Sequence, residues 1–435
     1  MPKRDQIDFS YKQEPLGAPR HRKRDAKPKK ERLVKQERVL NAPTGRQAVS
    51  AEPNGPSSRN VHIDPKPYLT ILSFLGSLSA STISSEKYQT NLQAVKGALF
   101  DRDYDRAFGS RSKPDWLWAY VARWVPGRAL GYRAMLGDLD EYEGGCAVKA
   151  VGKLFEPLEG EQRFAVTKVE SEQEEQDDEE EGDDSENDSD VDEGLEDAVA
   201  TLDLSSPPSD SNGNEPVPEV IPTRTINVLC YGSGPGSEII ALAATTRERG
   251  TPAKVHVQAV DSGNWGPILS QMSSGIETEW NLPKSRFEVD FIQHDILKPA
   301  DATRIDIPRA NLITLLYTTH ELLTASRSTT IAFLSNLTAQ AQPGTLLMIV
   351  ESAGSFSAMP VGKSEKTFPL EFLLDLVLAG GKDAGPGSRG EWEVVKKSES
   401  RWFRVPDGVG KGYPVKLENM RHMLRVYRRR APVAV

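Results

Sequence analysis

At 435 residues, with 37% apolar side chains and a formal net charge of −9, the chain is long enough to bury two cores of ordinary size. Its two cysteines, Cys146 and Cys230, exclude a disulfide framework and lack the close spacing of a zinc site, and no run of about eighteen apolar residues marks a membrane span. The charged start lacks the apolar stretch of a secretory leader, so a reducing compartment is expected, with neither metal nor membrane as a partner.

Residues 1–60 are rich in Lys, Arg, Pro and Gly, most densely at His21-Arg22-Lys23-Arg24 and Lys27-Pro28-Lys29-Lys30. They carry too little apolar surface to offset the entropy of ordering, which predicts a disordered basic arm. Such an arm reads as a nuclear or nucleolar address, an RNA-contacting tail or a solvated linker.

From Pro65 to about Tyr142 the pattern turns helical. Tyr68, Leu69, Ile71, Leu72, Leu75 and Leu78 recur at spacings of three and four, as do Leu92, Val95, Leu99 and Phe100. In the last part Trp116, Trp118, Tyr120 and Trp124 interleave with Arg123, Arg128 and Arg133. Aromatics at helical spacing build a core; beside arginines they also suit stacking on unpaired RNA bases.

Eighteen Asp and Glu, and no Lys or Arg, lie between Glu170 and Asp197, and without them the balance turns from −9 to +9. A basic body with a detachable acidic segment leans towards a nucleic-acid partner. The acidic run and the Ser/Pro/Asn-rich stretch after it show no periodicity, so residues 169–221 are expected to be a disordered insert. Ser185 and Ser189 each precede an Asp by three positions, a pattern that suits an acidophilic kinase.

Beyond Ile221, short apolar runs alternate with helical stretches, the signature of βαβ units around a parallel sheet. Strands are predicted at 226–230, 255–260, 287–292, 311–316 and 345–350. Helices are predicted to start near Ser237, Gly266 and Thr319, with another over 368–379 and a closing pair of strands at 391–405 and 416–427. The expected fold is therefore α/β: a doubly wound, seven-stranded, Rossmann-like sheet with an N-terminal helical domain. Its divisions are a basic arm at 1–60, the helical domain at 61–145, a connecting segment at 146–168, the acidic insert at 169–221 and the catalytic domain at 222–435.

The most informative stretch is Val228-Leu229-Cys230-Tyr231-Gly232-Ser233-Gly234-Pro235-Gly236-Ser237-Glu238. A buried strand runs into three glycines at alternate positions, and an apolar helix then offers free N–H groups, which together make a nucleotide-type pocket. The G-x-G-x-G spacing, with Ser237 where a dinucleotide site carries its third glycine, favours S-adenosylmethionine over a nicotinamide cofactor. Tyr231, Gly232, Ser233, Gly234 and Gly236 are the expected donor-loop residues. Asp261, about twenty-five residues past the glycines at the end of the second strand, suits the ribose hydroxyls. A strand-end residue carries little packing, so Asp261→Ala is expected to abolish donor binding with little loss of fold. Asp295-Ile296, after the third strand, suits the adenine edge; Asp295 alone would read as a helix or turn cap, but in this order the ligand role is favoured.

Tyr317, Thr318 and His320 follow the fourth strand, where ligands bind at open strand ends. Attack by a pyrimidine C5 atom needs a cysteine nucleophile, and Cys230 lies inside the first strand. The Asn/Asp-Pro-Pro-aromatic turn common in amino-group methylases is missing. A ring imide nitrogen or a hydroxyl remains, with His320 as the candidate base. Thr318, Glu321 and His320 also read as helix-capping or supporting residues.

The segments Ala94-Val95-Lys96-Gly97-Ala98-Leu99-Phe100-Asp101-Arg102-Asp103-Tyr104 and Tyr120-Val121-Ala122-Arg123-Trp124-Val125-Pro126-Gly127-Arg128-Ala129-Leu130, with the glycine loop, residues 317–323, Gly344 and Val350-Glu351-Ser352, resemble the fungal large-subunit ribosomal RNA uridine-N3-methyltransferase family. The resemblance implies a nuclear, nucleolar enzyme acting on 25S-type rRNA or a pre-60S particle during ribosome assembly. One departure from the general class I pattern stands out: Cys230 replaces the acidic residue often found two places before the first glycine. Two rival readings remain, a methyltransferase for protein or a small molecule and an inactive RNA-binding assembly factor; the second draws on Cys230.

Overall fold

A computed structural model describes residues 64–137, 148–164, 222, 224–299, 304–361, 364–381 and 390–432. The basic arm, the acidic insert with Ser185 and Ser189, and Cys146 lie outside the described residues.

Five helices come first: α1 (Lys66–Ile83), α2 (Tyr88–Phe100), α3 (Tyr104–Phe108), α4 (Pro114–Leu136) and α5 (Lys149–Gly152). α4 organises the rest. It starts at Pro114, where a missing N–H costs nothing, and its buried residues lie on every side, as expected of a helix enclosed by other elements. Pro126 sits inside it and cannot donate to the carbonyl of Ala122. That carbonyl accepts instead from the Tyr413 hydroxyl at 3.1 Å, so the break in the helix ladder is repaired from outside. The aromatics of this stretch are mainly core: Tyr120 stacks obliquely on Trp124 at 4.6 Å and meets Phe108 edge-on at 4.8 Å.

The sheet is built from β1 (Thr225–Tyr231), β2 (Lys254–Asp261), β3 (Phe287–Gln293), β4 (Leu312–Leu316), β5 (Leu346–Ser352) and, far along the chain, β8 (Trp392–Phe403) and β9 (Met420–Arg429). Its order is β3-β2-β1-β4-β5-β9-β8, with β1 to β5 parallel and β9 antiparallel to both neighbours. The order reverses between β1 and β4, which opens a crevice beyond their C-terminal ends. α6 (Ser237–Arg249) and α7 (Gly266–Glu279) connect the first three strands, and α8 (Thr319–Ala325) and α9 (Arg327–Gln340) lead from β4 to β5. A hairpin of β6 (Phe356–Val361) and β7 (Ser364–Pro369) precedes α10 (Leu370–Ala379).

Alternation along β1 divides the core. Val228 and Cys230 face α4 and α6, in one cluster with Tyr68, Leu75, Leu130 and Met135, whereas Leu229 and Tyr231 face the opposite cluster with Leu334 and Leu374. The upstream helices and the sheet therefore share one core. Gly131 lets α4 approach β8 and β9: a Cβ there would stand 2.4 Å from the Met420 side chain. Arg133 ties α4 to α6 through Glu248 at 2.9 Å.

The five predicted parallel strands start within one residue of the observed ones; of the closing pair, which is antiparallel, β8 starts one residue later than expected and β9 four residues later, at Met420. The segment from Thr319 is two helices, because Ser326 is extended (φ −160°, ψ 107°) and its hydroxyl caps α9 by accepting from the Thr329 N–H. The helix expected from Phe368 starts at Leu370, since Phe368 and Pro369 belong to β7. Among the described residues no helix is long and apolar enough to cross a membrane.

Candidate donor and acceptor site

The glycine turn joins the ends of β1 and β2 by hydrogen bonds: Gly232 and Ser233 N–H both donate to the Val260 carbonyl, at 2.8 and 3.3 Å. Gly232 (φ +67°) packs under Thr318, and a Cβ there would lie 2.2 Å from the Thr318 hydroxyl oxygen. Gly234 (φ +52°) differs, because a Cβ built on it meets nothing within 4 Å. Its upper side is open to a ligand's close approach. Gly236 is the N-cap of α6.

Asp261 meets this turn directly. One carboxylate oxygen accepts from Gly234 N–H at 2.9 Å, and the other from Gly263 N–H at 2.7 Å and Trp265 Nε1 at 3.1 Å. Burial pushes its pKa up, against the pull of these donors. A carboxylate has about four acceptor sites and three are taken, so one is left for a ligand hydroxyl. These three donors correct the expectation that Asp261 carries little of the fold.

The next expected residues divide. His294 N–H donates to the Asp261 carbonyl at 2.8 Å, which sets Asp295 beside the crevice. Its carboxylate is engaged in the turn, accepting from Leu297 N–H at 3.1 Å and pairing with Lys298 at 3.3 Å, and Ile296 packs against the core. The ring of Tyr231 points away from the turn, edge-on to Phe333 at 4.9 Å, so only its backbone faces the loop. The Thr318 hydroxyl, buried, is aimed at the carbonyls of Tyr231 and Gly232 from 3.4–3.5 Å.

On the acceptor side, Tyr317 is left-handed (φ +59°), a conformation that costs a non-glycine residue about 1 kcal/mol or more and persists where its surroundings fix it. Two bonds do so: Tyr317 N–H donates to the Val350 carbonyl at 2.7 Å, and His320 N–H to a Glu351 carboxylate oxygen at 2.9 Å. Burial raises the Glu351 carboxyl to about 7 despite the backbone N–H groups that favour its charge. The Nδ1 of His320 is buried and without a partner.

Sequence reasoning did not assign two charged groups here. Glu238, in the first turn of α6, is 4% exposed and both its carboxylate oxygens lack a hydrogen-bond partner. Burial lifts its pKa to about 7; Thr314 and Cys230 beside it pull the value down, and Asp261 pushes it further up. Arg128 of α4 lies 5.4 Å from the centre of the Tyr317 ring and donates to the Tyr120 hydroxyl at 2.9 Å. The missing acid at 230 was the available signal for the first. For the second it was the arginines interleaved with aromatics.

A family model described as "Putative SAM-dependent methyltransferase" matches residues 76–428. The chain belongs to this methyltransferase family. The match begins within α1 and spans α2 to α5 as well as the sheet. A curated relative, the 25S rRNA (uridine(2843)-N(3))-methyltransferase of Saccharomyces cerevisiae, is 27% identical over 380 residues, 82% of each chain. Solved structures with local likeness include an S-adenosylmethionine-dependent methyltransferase from Clostridium acetobutylicum (10% identity, 47% of this chain and 84% of that one, TM-score 0.28). The CcbJ methyltransferase of Streptomyces caelestis is another (14%, 47% and 84%, TM-score 0.27). As a methyltransferase of this family the chain uses S-adenosylmethionine, and two features of the turn fit that molecule: the open side of Gly234 and the unpartnered, buried Ser233 hydroxyl.

Proposed function

We propose that this methyltransferase methylates N3 of a uridine in large-subunit ribosomal RNA, on a pre-60S particle in the nucleolus. The likeness to the yeast 25S rRNA uridine-N3 enzyme carries this reading, because it extends over four-fifths of both chains and includes the upstream helices. The acceptor side supports it. Cys230 is fully buried, so no described cysteine is presented for attack on a pyrimidine C5 atom.

Donor binding falls to Gly232, Ser233, Gly234, Gly236 and Asp261, with Asp295, Ile296, Thr318 and the Tyr231 backbone around them. S-adenosylmethionine supplies an electrophilic methyl group when bound. What the protein must do is hold the acceptor in line and remove its proton. The N3–H of a uridine is flanked by two carbonyls and becomes nucleophilic once deprotonated. In this reading a ring nitrogen of His320 takes that proton, which frees the N3 lone pair for the methyl group the donor would supply. Glu351 positions His320 by fixing its backbone, and the Tyr317 ring lines the same face. Methylated nucleosides in rRNA from cells lacking the protein provide the test: loss of N3-methyluridine is expected, and an unchanged level overturns the reading.

A further inference from the structure

We propose that Glu238 and Arg128 clamp the amino-acid end of S-adenosylmethionine, the Glu238 carboxylate accepting from the α-ammonium and the Arg128 guanidinium donating to the α-carboxylate. This goes beyond the choice of RNA substrate and rests only on the donor.

Glu238 is the stronger half of the argument. The Glu238 carboxylate is removed from water with only the Thr314 hydroxyl and Cys230 thiol beside it and no well-formed hydrogen bond on either oxygen, a costly arrangement that a ligand donor completes. Its position follows from the chain: two residues past Gly236, on the first turn of α6, beside Cys230 and Thr314. Those two are register partners on β1 and β4, the strands that flank the crevice. Cys230 occupies the place where class I enzymes often carry an acid. Glu238 restores a carboxylate over that spot from the neighbouring element.

Arg128 supplies the opposite charge. It donates a hydrogen bond to Tyr120, and the Glu321 carboxyl feels its charge without forming a salt bridge to it. Tyr120 and Tyr317 flank its guanidinium at 6.0 and 5.4 Å, and both Arg128 and Glu238 act electrostatically on the buried Tyr132. Glu238 and Arg128 thus both act on Tyr132 without forming an ion pair with each other, and neither has a salt-bridged partner among the described residues. An α-amino acid is the complementary zwitterion, and charge-assisted hydrogen bonds to both its ends neutralise both groups. Since α4 carries Arg128, the upstream helices complete the donor site.

Calorimetry on the full chain with two probes tests this: S-adenosylhomocysteine, which has the amino-acid end, and 5′-methylthioadenosine, which lacks it. Glu238→Gln and Arg128→Met are each expected to weaken S-adenosylhomocysteine by about tenfold or more while leaving 5′-methylthioadenosine within about twofold. Arg128→Lys, which keeps the charge, is expected to recover part of the loss. The clamp is overturned if S-adenosylhomocysteine binds the variants as well as the parent, or if both probes weaken alike. It is equally overturned if Arg128→Met loses only affinity for an rRNA fragment. Failure of the parent chain to bind S-adenosylhomocysteine would instead strike at donor use itself, and retained N3-methyluridine in cells lacking the protein strikes only at the RNA reading.

Discussion

The Gly234 N–H donates to the Asp261 carboxylate at 2.9 Å. The turn after β1 and the end of β2 are thereby one unit, and the same carboxylate both shapes the loop and faces the ligand. A residue with two such duties does not separate cleanly into binding and stability.

Asp261→Ala is accordingly expected to lower donor affinity by more than tenfold and also to cost about 1–3 kcal/mol of stability, because three N–H donors lose their acceptor. Calorimetry with S-adenosylhomocysteine and urea unfolding of the same preparation check the pair of effects. Full stability with lost binding would mean the hydrogen bonds contribute nothing to the fold.

Glu238 links the site to pH. Its folded pKa, about 7, lies above the ordinary carboxyl value of 4.5, so the folded chain holds a proton that the unfolded chain releases. The stabilising contribution of that proton is complete below about 4.5 and is lost as pH rises to about 7. Thr314, Cys230, Asp261 and Tyr132 face this carboxyl from β4, β1, β2 and α4. Glu238→Gln mimics the protonated form, so it is expected to raise stability by about 1–3 kcal/mol at pH 8 and by almost nothing at pH 4.5. Thermal melts at the two pH values decide, and equal shifts at both would remove the carboxyl as their cause.

Gly232 and Thr318 are coupled by contact. Gly232→Ala forces a Cβ to within 2.2 Å of the Thr318 hydroxyl at φ +67°, and a loss of about 2–4 kcal/mol is expected. Adding Thr318→Gly should return the clash component and leave the backbone component, giving a double-mutant coupling of about 1 kcal/mol or more. Strict additivity in denaturant unfolding would show that the two do not touch.

For His320, replacement by Ala is expected to slow methyl transfer by about 10²–10⁴ at neutral pH and by much less at high pH, where the acceptor sheds its proton unaided. Single-turnover transfer to an rRNA fragment across a pH series measures it. Equal slowing at every pH would assign His320 to positioning alone.

The parallel strands were legible because each is a short apolar run between turn residues, and the glycine spacing located the donor turn. The hairpin of β6 and β7 was not, since Ser-Ala-Met-Pro-Val and Ser-Glu-Lys-Thr show no alternation and only Gly362-Lys363 between them signals a turn. The residue pattern marks only one helix start here, near Thr319; the break at Ser326 comes with its extended backbone and the hydroxyl cap it provides to α9. Tyr231 was read as a loop residue, but period-two alternation on β1 sends its ring to the far face. Glu238 and Arg128 needed the tertiary structure, because a carboxylate on α6 and a guanidinium on α4 both act on Tyr132 only once both helices have docked on the sheet.

The docking of α4 also bears on how the chain tolerates being cut. Tyr68, Leu130 and Met135 lie in one buried cluster with Val228 and Ile240, and Arg133 grips Glu248 across the seam. A backbone break between residues 165 and 221 therefore leaves two fragments with every reason to remain associated, each exposing a large oily face on its own. Coexpressed as separate polypeptides they should assemble into a working split enzyme, whereas the second fragment alone should precipitate.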